Sequence, residues 1–418
     1  MYATALGITD VGRKRSQNED AFHVDEELGL FIVSDGMGGH AAGEVASATT
    51  VETVVGVVAK ARDQIEQVRS GVGTPSELGA VLRRAVEDAS REVYRLATTT
   101  RGRSGMGCTA TVLLVVPPHG YMAHVGDSRL YLCRGAALEQ LSVDHSLAQE
   151  LARAGFITED EVDTHAHAHV LTRSIGTQPV VKVDTLMFDV LDGDRLLLCS
   201  DGLSGYVRDA AWLCGQMQRD DLIAVPAELV RYANQQGGED NITAVLVGVQ
   251  ADEEEAPQSM QLRQTLEGKL VALESVFLFA GLPLALRTRV LEACGTIEAE
   301  AGEILVREGD DTNSLYMVVK GACDLLRSGQ GICRVSPGDC VGMTTLLNQR
   351  AARATLMAVE PTTLLRLDQE AFWALVRERP WLGVGLLERL GRRLSTALDA
   401  AMERRPTVDA SRLLGERF

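Results

Sequence analysis

The chain has 418 residues, 45% apolar and 24% charged, with a formal net charge of −17. Such a length exceeds one ordinary core, so two domains are expected, and the negative charge argues against nucleic acid as a partner. No uninterrupted apolar run reaches about 18 residues, and residues 1–8 lack a basic region before an apolar core, so neither a membrane span nor a signal peptide is expected. Eight cysteines without a C-x-x-C pair fit reduced thiols and a cytoplasmic location better than a disulfide framework or a zinc site.

The first eight residues read as a strand. A basic loop follows, carrying Arg15 to the acidic pair Glu19-Asp20 and a second strand. A guanidinium beside carboxylates suits bidentate clamping of a phosphate, although a mixed-charge surface loop has the same composition. The apolar run Leu30-Phe31-Ile32-Val33 then ends in Ser34-Asp35-Gly36-Met37-Gly38-Gly39-His40, a buried strand running into a glycine-rich turn. That turn delivers a carboxylate and a bare carbonyl to one point, which suits a hard divalent cation; an N-cap aspartate at a strand-to-helix turn looks the same in isolation.

Residues 43–58 and 75–97 read as helices, the second with Leu78, Val81, Leu82, Ala85, Ala89 and Val93 on one face. Strands are expected over 109–116, 120–125 and 130–134, with Asp127 in the tight turn Gly126-Asp127-Ser128-Arg129. Residues 142–178 are polar and helical, and Ser146…Gln149 and Thr158…Glu161 fit capping boxes. His165, His167 and His169 alternate there, but no further soft ligand lies nearby, so they read as a polar loop that does not bind metal. Such an excursion between strands is a candidate flap. The pattern apolar strand, Ser, Asp, Gly recurs at Leu198-Cys199-Ser200-Asp201-Gly202, and Asp240-Asn241 precedes a last strand. Five separated aspartates, Asp20, Asp35, Asp127, Asp201 and Asp240, are what a carboxylate-built two-metal site needs.

With Leu171-Thr172-Arg173-Ser174-Ile175-Gly176, this ordered series resembles the metal-dependent protein phosphatases of type 2C in their bacterial form. The resemblance covers residues 1–250 and implies an α+β fold, an α-β-β-α sandwich with Mn²⁺ or Mg²⁺ in a cleft at one end. It implies Asp35 as the bridging metal ligand, Gly36 as a carbonyl ligand, Asp201 and Asp240 as further ligands, and Asp20 close by or acting through water. Asp127 would serve a third ion together with Asp201, Arg15 would hold the substrate phosphate, and 142–178 would be the flap. The implied reaction is hydrolysis of phosphoserine and phosphothreonine by an activated water, on phosphoproteins of a Ser/Thr kinase. Where many eukaryotic members carry a histidine this chain has Met37, which leaves His40 or a metal-bound water as the proton donor.

Residues 251–260 are acidic and read as a linker, 261–405 as a second domain and 406–418 as a tail. Short β segments between 293 and 368, with helices on either side, suggest a β-roll. This region resembles a cyclic-nucleotide-binding domain, with Gly302-Glu303 and Leu315…Gly321 matching its entry and central strand. The phosphate cassette departs from the family pattern: Met343 replaces the glutamate that takes the ribose hydroxyl, and Ala352 falls on the arginine position. Two readings stay open, a cyclic-nucleotide site in which Arg353 and Thr355 serve the phosphate, or a degenerate roll for dimerisation, docking or autoregulation; Met343 favours the second. The apolar spacing over 386–398 suits a helix that makes a homodimer or packs on its own domain. The rival to an enzyme with a regulatory domain is a signalling adaptor, its phosphatase fold inactive and its roll binding a cyclic nucleotide or a protein.

Overall fold

The computed structural model describes residues 1–38, 42–101, 103–251, 256–282, 284–348 and 351–378, with isolated positions between 383 and 395. His40, residues 406–418 and most of the helix expected at 386–398 therefore lie outside the described residues. The chain divides into two units: residues 1–265 with 283–289, and 266–282 with residues from 290 onward.

In the first unit, β1 (Tyr2–Asp10), β2 (Ala21–Asp25), β3 (Leu30–Ser34) and the short β4 (Gly36–Met37) lead into α1 (Ala42–Lys60), α2 (Arg62–Arg69) and α3 (Pro75–Thr99). Next come β5 (Gly107–Cys108), β6 (Ala110–Val116), β7 (His119–Val125), β8 (Arg129–Arg134) and β9 (Ala137–Gln140). The flap holds α4 (Leu147–Arg153) and α5 (Glu159–Val162), followed by β10 (Asp184–Asp189), β11 (Arg195–Cys199), α6 (Asp201–Ser204), α7 (Ala210–Met217), α8 (Ala224–Gln236) and β12 (Ile242–Gln250). Two five-stranded sheets result, ordered β1-β12-β11-β8-β9 and β10-β7-β6-β3-β2.

Period-2 alternation explains the layering. Leu30 and Ile32 of β3 pack in one cluster with Val54 and Val58 of α1 and Leu82 and Ala89 of α3. Phe31 and Val33, equally buried, point to the opposite face, where β11 and β12 cross β3. On the far sheet, Ile242, Ala244 and Leu246 pack with Leu229 and Ala233 of α8. Helix, sheet, sheet, helix is the layer order that the sequence resemblance implied. Helix α1 is long and apolar enough to cross a membrane, but its apolar surface is used in the core.

Two expectations need correction. Cys133 of β8 and Cys214 of α7 form a disulfide, their Cα atoms 5.6 Å apart, so the thiols are not all reduced. The partners are 81 residues apart, and α7 meets β9 and β11 only through tertiary packing, so no spacing motif announces the pair. The expected linker 251–260 is helical from Ala256, where α9 (Ala256–Ser275) begins. Pro257 is compatible with this because the first helical turn leaves its N–H groups unpaired anyway.

After α10 (Leu284–Glu292), the second unit contains β13 (Cys294–Ala299), β14 (Ile304–Val306), β15 (Ser314–Lys320), β16 (Cys323–Arg327), β17 (Gln330–Val335) and β18 (Cys340–Val341). Helix α11 (Met343–Asn348), β19 (Thr355–Ala358), β20 (Thr362–Asp368) and α12 (Gln369–Glu378) complete it. Two four-stranded sheets, β13-β20-β15-β18 and β14-β19-β16-β17, enclose Val318, Cys323, Val335, Leu356 and Leu364.

Candidate metal centre

Strand register gathers the aspartates. Ala21 pairs with Ser34, which sets Asp20 beside Asp35 as the two residues just beyond the pair. Cys199 of β11 pairs with Arg129 of β8 and Ala244 of β12, so Asp201 leaves its strand beside the Asp127 turn and the Asp240-Asn241 entry. Because β1 pairs with β12 along its full length, Asp10 opposite Ile242, the Arg15 loop starts next to Asp240.

Hydroxyls and one amide lock these ends together. Thr109 Oγ1 accepts from the Asp35 N–H at 2.9 Å and lies 2.6 Å from Ser128 Oγ, while Ser34 Oγ donates to the Thr109 carbonyl at 2.7 Å. Asp20 Oδ2 accepts from Ser200 Oγ at 2.9 Å and Thr243 Oγ1 at 2.6 Å. Asn241, buried, donates to the carbonyls of Val11 and Gln17 at 3.0 and 2.9 Å and accepts from the Glu19 N–H at 2.8 Å. Sequence reasoning passed over Thr109, Ser200, Asn241 and Thr243. Ser200 and Asn241 adjoin candidate aspartates, which is the signal that could have found them.

The two Asp-Gly steps have a steric reason. A Cβ on Gly36 would lie 2.3 Å from the Gly43 carbonyl oxygen, and one on Gly202 would lie 2.0 Å from that of Asn241. Only glycine lets the backbone approach so closely.

The electrostatics are those of crowded acids. Loss of water, reinforced by Asp201 and Asp240, lifts the Asp20 carboxyl to about 7 against the pull of its two hydroxyl partners. Burial, then Asp201 and Asp144, lifts Asp127 to about 8. Asp35 is pushed well up by desolvation and by Asp20, Asp201 and Asp127, and it shares a hydrogen bond with Asp201. Despite its own desolvation, Asp201 is held low by the neighbouring His169 imidazole and by the hydrogen bond it shares with Asp35. Asp20 Oδ1 and Asp201 Oδ1 are buried with no hydrogen-bond partner. No three His, Cys, Asp or Glu side chains among the described residues already form a ready-made cage. What fits divalent cations is the chemistry: hard oxygen donors, mutual repulsion and unsatisfied buried carboxylate oxygens.

Arg15 donates to Asp240 Oδ2 at 2.6 Å, so the expected phosphate clamp stands at the rim of this cluster, tied to one of its acids. The flap is rooted in the same place. His145 N–H donates to the Gly126 carbonyl at 2.8 Å, its Nδ1 accepts from the Gly126 N–H at 3.0 Å, and its carbonyl accepts from Thr172 at 2.8 Å. Arg129 clamps Asp144 through Nε and Nη2 at 3.0 and 2.8 Å and reaches Asp163 at 2.8 Å. Both expected N-terminal caps of the flap helices form, Ser146 accepting from the Gln149 N–H and Thr158 with Glu161 making a full capping box. In the histidine loop, His165 and His167 meet edge to face, and His169 Nδ1 lies 3.6 Å from Asp201 Oδ2.

In the roll, Ala352 is buried in the core, its N–H donating to Asp310 O and its carbonyl accepting from Gly309. Arg353 is exposed and makes no hydrogen bond or ion pair among the described residues. Thr355 Oγ1 already accepts from the Glu308 N–H at 3.0 Å. The structure thus brings Asp20, Asp35, Asp127, Asp201, Asp240 and Arg15 to one end of the sandwich.

Fold and site together define a two-domain phosphatase. The family model of Protein phosphatase 2C matches residues 11–247, and that of the cyclic nucleotide-binding domain matches residues 296–379. The chain is 35% identical over 242 residues to "Serine/threonine phosphatase stp" of Listeria monocytogenes, covering 57% of this chain and 93% of that protein. It is 36% identical over 252 residues to "Protein phosphatase PhpP" of Streptococcus pneumoniae, covering 59% and 98%. Among solved structures, the serine/threonine phosphatase PstP/Ppp of Mycobacterium tuberculosis superposes with a TM-score of 0.54 at 31% identity, covering 60% of this chain and all of that one. The catalytic domain of PstP in complex with two manganese ions gives 0.52 at 30% identity, covering 60% and 99%. The chain belongs to the protein phosphatase 2C family, and it is a phosphatase that carries a cyclic nucleotide-binding domain behind its catalytic one.

Proposed function

We propose that the chain hydrolyses phosphoserine and phosphothreonine on the protein substrates of a Ser/Thr kinase, with Mn²⁺ or Mg²⁺ held at the acidic end of the sandwich. Asp35, the Gly36 carbonyl, Asp201 and Asp240 hold two ions in this reading, with Asp20 close by and Asp127 serving a third together with Asp201. When bound, the ions supply an activated water and offset charge on the phosphoryl oxygens. Arg15, anchored to Asp240, presents its remaining N–H groups to the substrate phosphate. Ser200 and Thr243 orient the Asp20 carboxylate, and Thr109 fixes the Asp35 backbone. Met37 has no proton to give, and His40, the sequence candidate for that role, lies outside the described residues. A cytoplasmic location belongs to this reading, supported by six cysteines that remain free thiols.

The observation that carries the proposal is the convergence of five aspartates with two buried, unpartnered carboxylate oxygens. An inactive adaptor has no use for such a costly arrangement. The decisive measurement is turnover of a phosphothreonine peptide with and without Mn²⁺, in the native chain and in Asp35→Asn. The expected result is metal-stimulated turnover that falls roughly 10³-fold in the variant. Turnover that ignores Mn²⁺, or survives Asp35→Asn, would sink the enzyme reading.

The roll is read as degenerate in ligand binding and regulatory in role. The buried Ala352, the outward Arg353 and the occupied Thr355 hydroxyl support this.

A further inference from the structure

We propose that His169 of the flap is a protein ligand of the third metal ion, so that the flap engages the active site through an imidazole. This rests on the metal-centre reading above. His169 Nδ1 lies 3.6 Å from Asp201 Oδ2, too far for a hydrogen bond. It is, however, the spacing of two ligands on one ion. With metal–ligand bonds of ~2.1 Å, donors subtending 90–120° at the metal lie roughly 3.0–3.6 Å apart. Asp201 also has its second oxygen buried and unpartnered, and His169 lies within electrostatic reach of Asp127 and Asp240 as well.

The backbone ties both ends of this site to one short path. Gly126, next to Asp127, bonds His145 in both directions, and the His145 carbonyl holds Thr172, three residues beyond His169. Leu147, two residues beyond His145, donates to the carbonyl of Val170 at 2.8 Å, so the residue after His169 is pinned too. Asp127 and His169 are therefore positioned by the same few hydrogen bonds. An imidazole in an otherwise all-oxygen site favours transition metals over Mg²⁺, because Mg²⁺ prefers oxygen and an undistorted octahedron. The third site should accordingly select Mn²⁺.

The test uses the full chain and Mn²⁺ itself. Calorimetry counts the equivalents bound, and pulsed EPR on protein labelled with ¹⁵N-histidine reads whether a histidine nitrogen is bonded to Mn²⁺. The His169 side chain is 80% exposed, so His169→Ala should leave the fold intact. The expected result is nitrogen coupling in the native protein and in His165→Ala and His167→Ala, but none in His169→Ala. The weakest Mn²⁺ equivalent should lose roughly 10-fold or more in affinity in His169→Ala, with the tighter two unchanged. Two or three equivalents without histidine coupling, or coupling that persists in His169→Ala, would overturn the assignment and leave the metal centre standing. Unchanged Mn²⁺ binding with a raised KM for phosphopeptide would overturn it in favour of a substrate contact. A native protein that binds no Mn²⁺ at all overturns the metal centre and this ligand with it.

Discussion

The acidic end of the sandwich and the cassette of the roll are both places where a family fold offers backbone and side chains to a phosphate ligand. In the sandwich, side chains arrive from several separate strand ends and are only partly satisfied by their neighbours: Asp20 and Asp201 each keep a buried oxygen without a partner. In the roll, the corresponding positions are used up internally. Ala352 fills core volume, the Thr355 hydroxyl caps the Glu308 N–H, and Arg353 is exposed without a partner among the described residues. A fold kept by apolar packing needs only shape, whereas a site needs polar groups withheld from the fold's own bonding. The two are lost independently.

Four measurements would break or sharpen that contrast. The largest effect is expected at Gly202→Ala, whose Cβ would meet the Asn241 carbonyl oxygen at 2.0 Å and push the Asp201 turn off its place. Displacements of that order cost roughly 10²-fold in turnover. Phosphatase assays beside a circular dichroism spectrum would check it, and near-native turnover would mean that the site tolerates far more play than its packing suggests.

In the roll, Ala352→Arg restores the family residue at a buried position and should destabilise that unit by about 3 kcal/mol, while Arg353→Ala should cost under about 0.5 kcal/mol. Urea unfolding of the two variants reads the difference. Equal costs would show that Arg353 is engaged after all.

The third test uses pH. Burial and the neighbouring His145 hold the His124 imidazole down at about 3, far below its unfolded value of ~6.5. The native state therefore refuses a proton that the unfolded chain accepts, so this contribution is present above ~6.5 and is lost as pH falls from ~6.5 toward 3. Relative to His124→Gln, the native phosphatase unit should lose about 2 kcal/mol between pH 6.5 and 5, at ~1.4 kcal/mol per unit. The described buried polar residues of the roll, Ser314, Thr345, Thr362 and Gln369, do not titrate in this range, so its transition should stay level. A roll transition that moves with pH in parallel would break the comparison.

The smallest effect is expected from cyclic AMP and cyclic GMP. At about 1 mM, a ligand of micromolar affinity would add ~4 kcal/mol to the stability of its domain. A degenerate roll should show a melting shift of less than about 1 °C. A clear shift would return a working nucleotide site to this chain and overturn its reading as degenerate.

Much was legible locally. Alternating or continuous apolar runs marked β3, β6, β7, β11 and β12, the spacing of Leu78, Leu82, Ala85 and Ala89 marked α3, and the caps at Ser146 and Thr158 marked the flap helices. Such features depend on residues within a few positions of each other, where the periods of strand and helix act directly. The repeated Ser-Asp-Gly at Asp35 and Asp201 marked strand ends with carboxylates for the same reason, and the glycines gave away a close backbone approach.

What the tertiary structure decided is every relation between distant parts. Arg15 and Asp240 are 225 residues apart, and only the full-length pairing of β1 with β12 brings them to 2.6 Å. The Cys133–Cys214 disulfide, the Asn241 tether of the Arg15 loop and the outward turn of Arg353 depend likewise on packing that no short window encodes. His169 is the sharpest case. The sequence sees an alternating polar loop without a second ligand, because Asp201 lies 32 residues further on. The flap's hydrogen bonds to Gly126 and Val170 close that distance in space.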